Sequence, residues 1–598
     1  MDHDCVYDRK STQPYAGIFE QSKTYAQSWF QDKNTGKDFT EYRGLRLGHC
    51  LELLMFNFFQ SMFTCTVNIE EYLKHEKPNL MVYVCSEDFS GPHVDPSLNF
   101  NPFRKLLPLL CQRNQVEFVD IPPVESEGKK PATNKSGFLE FFKPGPSLFV
   151  LGMEWRLPKP VYLTLKNGFL FFKNLVGKVR LGAQKANILF SSPTAVNYAG
   201  PHVVEAILRS GEFNLFVWKG ESRQPEIINI LPHLTWDYLP SQATLFSLRT
   251  KFRKQFKKDR EKLKRSTEYQ GMPFSEIFPS YFENLYRSYF PQLVVHANSM
   301  KAQLIKNKIR MVIVHSDHST FERMTLLVAK GLSIPSIYFQ HGIEPRLKHS
   351  KLGFPSDARY HFVWGKSNEK DRLHKGMDEN HIKIVGCPLY KVSDDNREEQ
   401  APEINSSGTI VLIMHTAGQL RSDERTTYSD NELIVKLSLE MIKKFPAKKL
   451  IIKLRQNDKQ ADIYRQLISK AQVKNAEIND ENIIPLLEQC DLFLFTGSTA
   501  ALEAMLRNKP GVQLLFYFNE KSIYENDEIP YAGYGANMEV KNPVVEELVG
   551  AVNSIYRSNA VREKLRQGRI KFMQDFSNLG AGDPAENFIK ALEECLSG

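Results

Sequence analysis

The sequence predicts an α/β protein made of two Rossmann-like domains that face each other across a cleft, with helices at the C-terminal end. The first observation behind this prediction is a series of short apolar runs, each ending in polar or small residues and each followed by a helix-forming segment. Such runs are typical of parallel strands buried on both faces. The second observation is the charged, turn-rich stretch 391–408, which divides the series in two and is typical of an interdomain linker.

The length of 598 residues exceeds what one ordinary core holds, so we expect more than one domain. The expected parts follow from the periodicity of each stretch. They are a poorly defined lead-in at 1–40, a first Rossmann-like domain at 41–390 with helical insertions at about 125–180 and 240–308, the linker at 391–408, a second Rossmann-like domain at 409–575, and a C-terminal helix at 576–598.

The stretch Asp491–Pro510 is the clearest single unit, reading D-L-F-L-F-T-G-S-T-A-A-L-E-A-M-L-R-N-K-P. Its apolar run Leu492–Phe495 predicts a buried strand, and a strong helix former begins at Ala500. Between them lies a turn of small and hydroxylated residues, with Ser498 or Thr499 as the helix cap. A helix N-terminus after such a turn presents backbone N–H groups and a positive dipole end, which favours anion binding. The alternative is an ordinary strand–loop–helix unit that binds nothing.

In a doubly wound sheet, ligands bind beyond the carboxyl ends of the strands. In the second half these ends carry cationic and hydroxylic side chains, which suit a phosphate through charge-assisted hydrogen bonds. Solvated strand-end charges are the alternative for Lys453 and Arg455. The candidate phosphate-binding residues are His415, Thr416, Lys453, Arg455, Gly497, Ser498, Thr499 and Glu503.

In the first half the same ends carry carboxylates and imidazoles, which suit proton transfer. Asp317 could equally cap the following helix, and His341 could orient its loop. An i,i+3 pair formed by His315 and His318 without further ligands does not indicate a metal site, and we expect no metal. The candidates for catalysis are Asp317, His341, Glu87 and Asp88, and those for loop or acceptor support are Gln340, Gly342 and His318.

The net charge of +9 is concentrated in one segment, because Lys251–Arg265 alone contributes +7. Phe252, Phe256 and Leu263 recur there at helical spacing, so the segment predicts an amphipathic basic helix. A solvated helix face and an anionic membrane surface are the two interpretations, and no nucleic-acid-binding module accompanies the run. The membrane-surface candidates are Lys251, Arg253, Lys254, Lys257 and Lys258.

The cysteines and the apolar runs of the sequence indicate in which cellular compartment the protein is expected. The eight cysteines are scattered without a C-x-x-C pair, which favours reduced, buried thiols in the cytoplasm. We find neither a secretory signal nor a run of ~20 apolar residues, so we expect no membrane span. The expected location is cytoplasmic, and if the basic helix binds an anionic surface, that surface is the inner face of the cytoplasmic membrane.

Several motifs occur in an order and spacing that resemble a GT-B glycosyltransferase of the bacterial surface-polysaccharide type. The branch includes the Kdo and sialic acid transferases, and its fold is similar to that of UDP-N-acetylglucosamine 2-epimerase. The resemblance covers about residues 308–516. The motifs are I-P-S-I-Y-F-Q-H-G at Ile334–Gly342, V-W-G at Val363–Gly365, I-V-G-C-P-L-Y at Ile384–Tyr390, strand-K-L-R at Ile451–Arg455, and F-T-G-S-T-A-A-L-E-A at Phe495–Ala504.

The resemblance implies transfer of a sugar from a CMP- or UDP-linked donor to a capsule, lipopolysaccharide or lipid-linked acceptor. The enzyme would invert at the anomeric carbon without a metal, and the nucleotide-sugar would be a co-substrate rather than a cofactor. Ser498 and Thr499 would hold the phosphates, Glu503 would contact ribose or base, and a first-domain carboxylate or His would be the base. Our order for the base is Asp317, then Glu87 or Asp88, then His341.

One departure from the family pattern leaves other functions open. Family members commonly carry Lys-x-His-Pro where this chain reads Lys453-Leu454-Arg455-Gln456. Arg455 could replace the His as a phosphate donor. The alternatives are a CDP-polyol phosphotransferase of the teichoic acid type, a non-catalytic GT-B scaffold in a polysaccharide assembly complex, and a non-hydrolysing epimerase, which the long N-terminal region disfavours.

Overall fold

The structure is a computed structural model, and it describes most of both halves of the chain. The residues described are 18–84, 103–121, 148–150, 153–155, 185–191, 200–218, 233–234, 242–317, 319–342, 356–388, 408–414, 428–454, 460–496, 500–515 and 532–597.

A mainly helical layer precedes the first large sheet. Its core is the long helix α3, whose buried face is rich in phenylalanine and methionine. The strands β3 and β4 form a separate parallel pair beside it. The elements are α1 (Ile18–Ser28), β1 (Glu41–Tyr42), β2 (Leu45–Arg46), α2 (Leu47–Cys50), α3 (Glu52–Glu76), β3 (Leu80–Val84), α4 (Phe103–Arg113), β4 (Glu117–Ile121), and the antiparallel pair β5 (Leu148–Val150) and β6 (Met153–Trp155).

This layer differs from the sequence-based expectation in two respects. Residues 18–40 fall in the expected lead-in, yet they include helix α1 and the fully buried Trp29 and Phe30, because this aromatic pair packs into the core of the layer. The first Rossmann-like domain was expected to span 41–390, yet the strands β3 and β4 pair with each other and lie outside the seven-stranded sheet. The strand that precedes Glu87 and Asp88 therefore belongs to a different sheet from the one that carries Asp317 and His341.

The first large sheet has seven parallel strands in the order β15-β14-β13-β12-β7-β8-β9. Its strands are β7 (Ala186–Phe190), β8 (Phe213–Trp218), β9 (His233–Leu234), β12 (Ile309–Val314), β13 (Ser336–Phe339), β14 (Tyr360–Val363) and β15 (Ile382–Ile384). The intervening elements are α5 (Pro201–Ser210), α6 (Gln242–Ser266), the hairpin β10 (Glu268–Tyr269) and β11 (Met272–Pro273), α7 (Phe274–Ile277), α8 (Pro279–Asn284), a π-helical turn (Leu285–Tyr289), α9 (Phe290–Lys306), α10 (Thr320–Gly331), α11 (Lys366–His374) and a 3₁₀ turn (Glu379–His381).

The second large sheet has six parallel strands in the order β18-β17-β16-β19-β20-β21. Its elements are β16 (Thr409–Ile413), α12 (Tyr428–Lys443), β17 (Lys449–Lys453), α13 (Ala461–Ala471), β18 (Ala476–Asn479), α14 (Ile483–Gln489), β19 (Cys490–Phe495), α15 (Ala500–Leu506), β20 (Gly511–Leu514), a 3₁₀ turn (Ala532–Tyr534), β21 (Met538–Val540), α16 (Val545–Arg557), α17 (Asn559–Ser577) and α18 (Pro584–Ser597).

The central strands of both sheets are mostly apolar and buried, which is typical of parallel strands covered on both faces. In β19, Leu492–Phe495 is fully buried, as the wholly apolar run predicted. The predicted α/β class with two Rossmann-like sheets is confirmed. The exact domain boundaries and the linker at 391–408 stay predictions.

The C-terminal helices pack against the first sheet. The ring of Phe588 on α18 contacts Phe339 at the end of β13 and Phe362 in β14, with ring centroids 5.1 Å apart in each case. The backbone N–H of Cys387, just after β15, donates to the carbonyl of Ser577 at 3.0 Å. Within the described residues these helices therefore connect the end of the second half to the sheet of the first.

A cluster of buried charges attaches the N-terminal layer to the first sheet. His49 of α2 lies between two carboxylates, with Nδ1 at 2.5 Å from Glu52 Oε1 and Nε2 at 2.7 Å from Asp357 Oδ2. Arg323 of α10 donates to Glu52 Oε2 at 2.5 Å and lies 3.7 Å from Asp357. With His49 protonated, the two positive charges of His49 and Arg323 equal the two negative charges of Glu52 and Asp357, so the cluster has no net charge.

The surroundings of His49 favour its charged form. Burial opposes the charge on the ring, but the hydrogen bonds and charges of Asp357 and Glu52 outweigh it, so the pKa of His49 is raised. Burial also acts against the charge on Asp357, and the His49 and Arg323 charges overcome it, so the pKa of Asp357 is lowered.

We predict that Gly365→Ala destabilises the contact between α17 and the first sheet. A Cβ at Gly365 would lie 2.4 Å from the carbonyl oxygen of Asp575, which is backbone and has to shift. Overpacking of this kind costs about 1–3 kcal/mol of unfolding free energy, which chemical denaturation measures. Gly331→Ala is the matched control, because its Cβ meets nothing within 4 Å. Equal stability of the two variants would contradict the close approach.

We also predict a stability change with pH that depends on His49. Because the folded-state pKa of His49 is raised above 6.5, its contribution is fully present below pH 6.5 and is lost as the pH rises through the folded-state value. The melting temperature of the wild type should therefore fall across this window, and that of His49→Gln should fall less. His374→Gln, at an exposed position on α11, should keep the wild-type slope. Parallel slopes for all three proteins would exclude the prediction.

Candidate functional site

Polar side chains meet at the carboxyl edge of the first sheet. Ser191 follows β7, His315 follows β12, and Gln340 and His341 follow β13. These three strands are neighbours and parallel, so their ends lie side by side at one edge of the sheet. This is the edge at which open parallel sheets bind ligands.

Glu322, in the first turn of α10, forms the centre of this group. Its Oε1 accepts a hydrogen bond from Ser191 Oγ at 2.5 Å and lies 2.7 Å from His315 Nδ1. The side chain is buried, and the positive end of the helix favours its negative charge. Ser319 caps the helix by accepting from the Glu322 N–H at 3.4 Å. The carboxylate thus connects two strand ends.

The two imidazoles His315 and His341 lie next to each other across neighbouring strand ends. Their ring centroids are 5.7 Å apart and the rings are nearly perpendicular, at 80°. Both residues are half-buried. A carboxylate-bound imidazole with a second imidazole beside it is a chemically competent acid–base group.

Gln340 holds the loop after β13 in place. Its Nε2 donates to the carbonyl of Gly342 at 2.7 Å, and its Oε1 accepts from the backbone N–H of Trp364 at 2.8 Å. The side chain is fully buried. Gln340 therefore connects the loop that carries His341 to the end of β14.

Asp317, the first choice for the base from sequence, is only 3% exposed. Its carbonyl oxygen accepts from Arg323 Nε at 3.1 Å. The alternative that Asp317 caps the following helix is wrong, since the cap is Ser319. The loop that carries Asp317 is thus held by the same arginine that binds the N-terminal layer.

Two of the predicted phosphate-binding residues in the second half are described. Lys453 ends β17, and its Nζ donates to the carbonyl of Leu454. Burial lowers the pKa of Lys453 and raises the pKa of Glu503, which lies in the first turn of α15. An anion bound beside Lys453 would favour its charged form.

The strand end before the predicted anion-binding turn is well fixed. Thr496 and Gln513 are both buried, and Gln513 Nε2 donates to the Thr496 carbonyl at 3.2 Å. The turn itself and several other predicted residues lie outside the described part of the chain. These residues are Glu87, Asp88, His318, His415, Thr416, Arg455, Gly497, Ser498 and Thr499.

The basic segment forms helix α6 with its cations on the surface. Lys251, Arg253, Lys254, Lys257 and Lys258 are all exposed. Phe252 and Leu263 are buried, while Phe256 is partly buried, as their spacing predicted. Phe246, at the N-terminal end of the same helix, is 73% exposed. None of the helices that the structure describes could cross a bilayer.

Sequence reasoning missed the residues that organise the site. Glu322 carried one usable signal, the pattern Ser319-x-x-Glu322 before an apolar helix, which predicts a capping box. His49, Glu52, Arg323 and Asp357 carried none, because the partners are up to 308 residues apart. In the described part of the chain, no three His, Cys, Asp or Glu side chains are placed to hold a metal ion.

No protein-family model matches the chain, and no curated protein does. Similar solved structures include the UDP-GlcNAc 2-epimerase from Neisseria meningitidis bound to UDP-GlcNAc (14% identity, 69% of this chain and 100% of that chain, TM-score 0.42). The UDP-GlcNAc 2-epimerase from Methanocaldococcus jannaschii is also similar (14% identity, 68% and 99%, TM-score 0.40). The lipopolysaccharide outer core galactosyltransferase WaaB in its apo form is a third (12% identity, 69% and 99%, TM-score 0.39). Assignment of a GT-B-like fold rests on the two parallel sheets, and the Kdo or sialic acid transferase branch stays a prediction.

Proposed function

We propose that the protein is a glycosyltransferase that moves a sugar from a CMP- or UDP-linked donor to a cell-surface polysaccharide or lipid-linked acceptor. The observation that carries the proposal is the imidazole and carboxylate group formed by His315, His341 and Glu322 at the ligand-binding edge of the first sheet. The second sheet bears Lys453 and Glu503 at its own carboxyl edge. Acid–base groups on one sheet and a phosphate-binding cation on the other suit group transfer.

Each half has a distinct part in the proposed reaction. The second half holds the nucleotide phosphates through Lys453, Arg455 and the Ser498-Thr499 turn, which stabilise the negative charge on the departing nucleotide. The first half takes the proton from the acceptor hydroxyl. The acceptor oxygen attacks the anomeric carbon from the side opposite the leaving phosphate, so the configuration inverts, and the proposed mechanism uses no metal.

A contact with an anionic membrane surface would bring this enzyme to a lipid-linked acceptor at the inner face of the cytoplasmic membrane. Helix α6 supports this proposal because it presents five cations and the exposed Phe246 on a rigid element. Each Lys or Arg near an anionic bilayer contributes on the order of 1 kcal/mol. The sequence offers a second candidate contact in the phenylalanine-rich segment Phe169–Phe172, which lies outside the described residues.

Nucleotide binding is the first prediction of this proposal. Among CMP, CDP, UDP, GDP and dTDP, one nucleotide should raise the melting temperature, because ~100-fold excess over Kd adds ~2.7 kcal/mol to the unfolding free energy. Lys453→Met should lower the affinity for that nucleotide about 10- to 100-fold, since a hydrogen bond to a charged group contributes ~1.5–3 kcal/mol. Lys470→Met, at an exposed position on α13, is the control.

The outcomes of the nucleotide screen separate the candidate functions. A response to CMP or UDP supports the glycosyltransferase, and a response to CDP alone supports the polyol phosphotransferase. If no nucleotide raises the melting temperature, both of these functions are contradicted and the non-catalytic scaffold is favoured. Release of the nucleotide from a cognate sugar donor, with and without acceptor glycan, then measures transfer directly.

Vesicle flotation tests the membrane contact. The wild type should float with vesicles containing phosphatidylglycerol at low salt and stay behind at high salt, because salt screens exposed charges. Replacing Arg253, Lys254 and Lys257 by Gln should reduce flotation strongly. The same change at Lys444, Lys470 and Lys474, which are exposed on the second half, should leave it unchanged. If the full-length protein does not float with anionic vesicles at low salt, the proposed membrane contact is refuted.

A further inference from the structure

We propose that His315, held by Glu322, is the residue that takes the proton from the acceptor hydroxyl, and that Glu322 is its positioning residue. This inference rests on the proposed transfer function and deepens it. It replaces Asp317 as the expected base and assigns a role to a carboxylate that the sequence did not single out. The evidence is the geometry at the end of β12 and the first turn of α10.

The contact with Glu322 determines which nitrogen of His315 can accept a proton. Nδ1 lies 2.7 Å from Glu322 Oε1. A lone pair on Nδ1 at this distance from a carboxylate oxygen would be repelled by it, so the neutral ring carries its hydrogen on Nδ1. The lone pair is then on Nε2, on the opposite side of the ring. A base with its other nitrogen oriented by a buried carboxylate is a recurring catalytic arrangement.

Glu322 is fixed firmly enough to orient the ring. Its Oε1 accepts from Ser191 Oγ at 2.5 Å and lies 2.7 Å from His315 Nδ1, so side chains from two strand ends converge on one oxygen. The residue is 2% exposed and sits one turn from the cap at Ser319, where the helix dipole favours negative charge. Its rotamer and charge are therefore set by the sheet and the helix together.

The two candidate bases His315 and Asp317 differ in how far their side chains are exposed to solvent. The His315 side chain is 17% exposed, whereas Asp317 is 3% exposed and its loop is held by Arg323. A general base must reach within ~3 Å of the acceptor oxygen, which favours the side chain that meets solvent. His341 packs against the His315 ring at 5.7 Å between centroids and restricts its movement.

The proposed step balances in atoms and charge. The acceptor O–H proton moves to His315 Nε2, and the oxygen forms a bond to the anomeric carbon. The bond between that carbon and the phosphate oxygen breaks, and its electron pair leaves with the nucleotide. His315 is then an imidazolium at ion-pair distance from Glu322, so the carboxylate stabilises the charge that forms. The proton passes to water after the product leaves.

The test compares His315→Gln and Glu322→Gln with His374→Gln in the full-length protein. We expect His315→Gln to lower kcat about 10²- to 10⁴-fold, the usual contribution of a general base, and to retain the nucleotide-induced rise in melting temperature. The fall in rate at acid pH, where an imidazole base is protonated, should disappear with it. Glu322→Gln should lower kcat less and change the pH–rate profile without changing the KM for the donor. His374→Gln should behave as the wild type.

Chemical rescue gives a second readout. His315→Ala should recover activity when imidazole is added, and Asp317→Asn and His341→Gln should not. If His315→Gln keeps the wild-type kcat and pH profile while the wild type transfers sugar, this proposal fails and the proposed function stands. If imidazole instead rescues His341→Ala alone, His341 is the base and the proposal is overturned. A wild type that transfers no sugar from any nucleotide donor removes the proposed function and this step together.

Discussion

The first turn of helix α10 is the constraint on which the first half of the molecule depends. Glu322 and Arg323 are consecutive, so they point about 100° apart around the helix. Glu322 contacts Ser191 and His315 at the sheet edge, and Arg323 contacts Glu52 in the N-terminal layer. One helix turn therefore sets both the acid–base group and the attachment of the layer that precedes the sheet. A shift of this turn would disturb both sets of contacts at once.

The second constraint is the path of α17, which contacts elements of both halves. Near its middle, Arg569 Nη2 donates to Asn508 Oδ1 at 2.6 Å, just after α15. At its end the Ser577 carbonyl accepts from the Cys387 N–H, beside the first sheet. The absence of a side chain at Gly365 lets the backbone of Asp575 approach closely. A helix packed closely near its middle and at its C-terminal end limits how the second sheet can be placed relative to the first.

The fold was predictable because parallel strands that are buried on both faces appear in the sequence as short, continuous apolar runs. Runs such as Leu492–Phe495 are apolar at every position, and the strand ends carrying His341 and Lys453 followed directly from them. Local sequence could not show that β3 and β4 pair apart from the main sheet, because strand periodicity does not identify the partner. The pattern Ser319-x-x-Glu322 indicates no more than a helix start, whereas in the structure the Glu322 carboxylate contacts Ser191 and His315. Tertiary contacts replaced the local hydrogen bond that a capping box would make.

The buried charges around His49 show why such contacts leave so little trace in sequence. Taking four charged groups out of water costs several kcal/mol each, and their mutual attraction offsets this only when every partner is present. A well-packed apolar set could be as stable, so we interpret the cluster as specifying position. Loss of one member leaves an unbalanced buried charge, which makes Asp357, His49 and Arg323 mutually dependent. Since Arg323 also binds the carbonyl of Asp317, the same balance of charge fixes the loop between His315 and the helix that orients it.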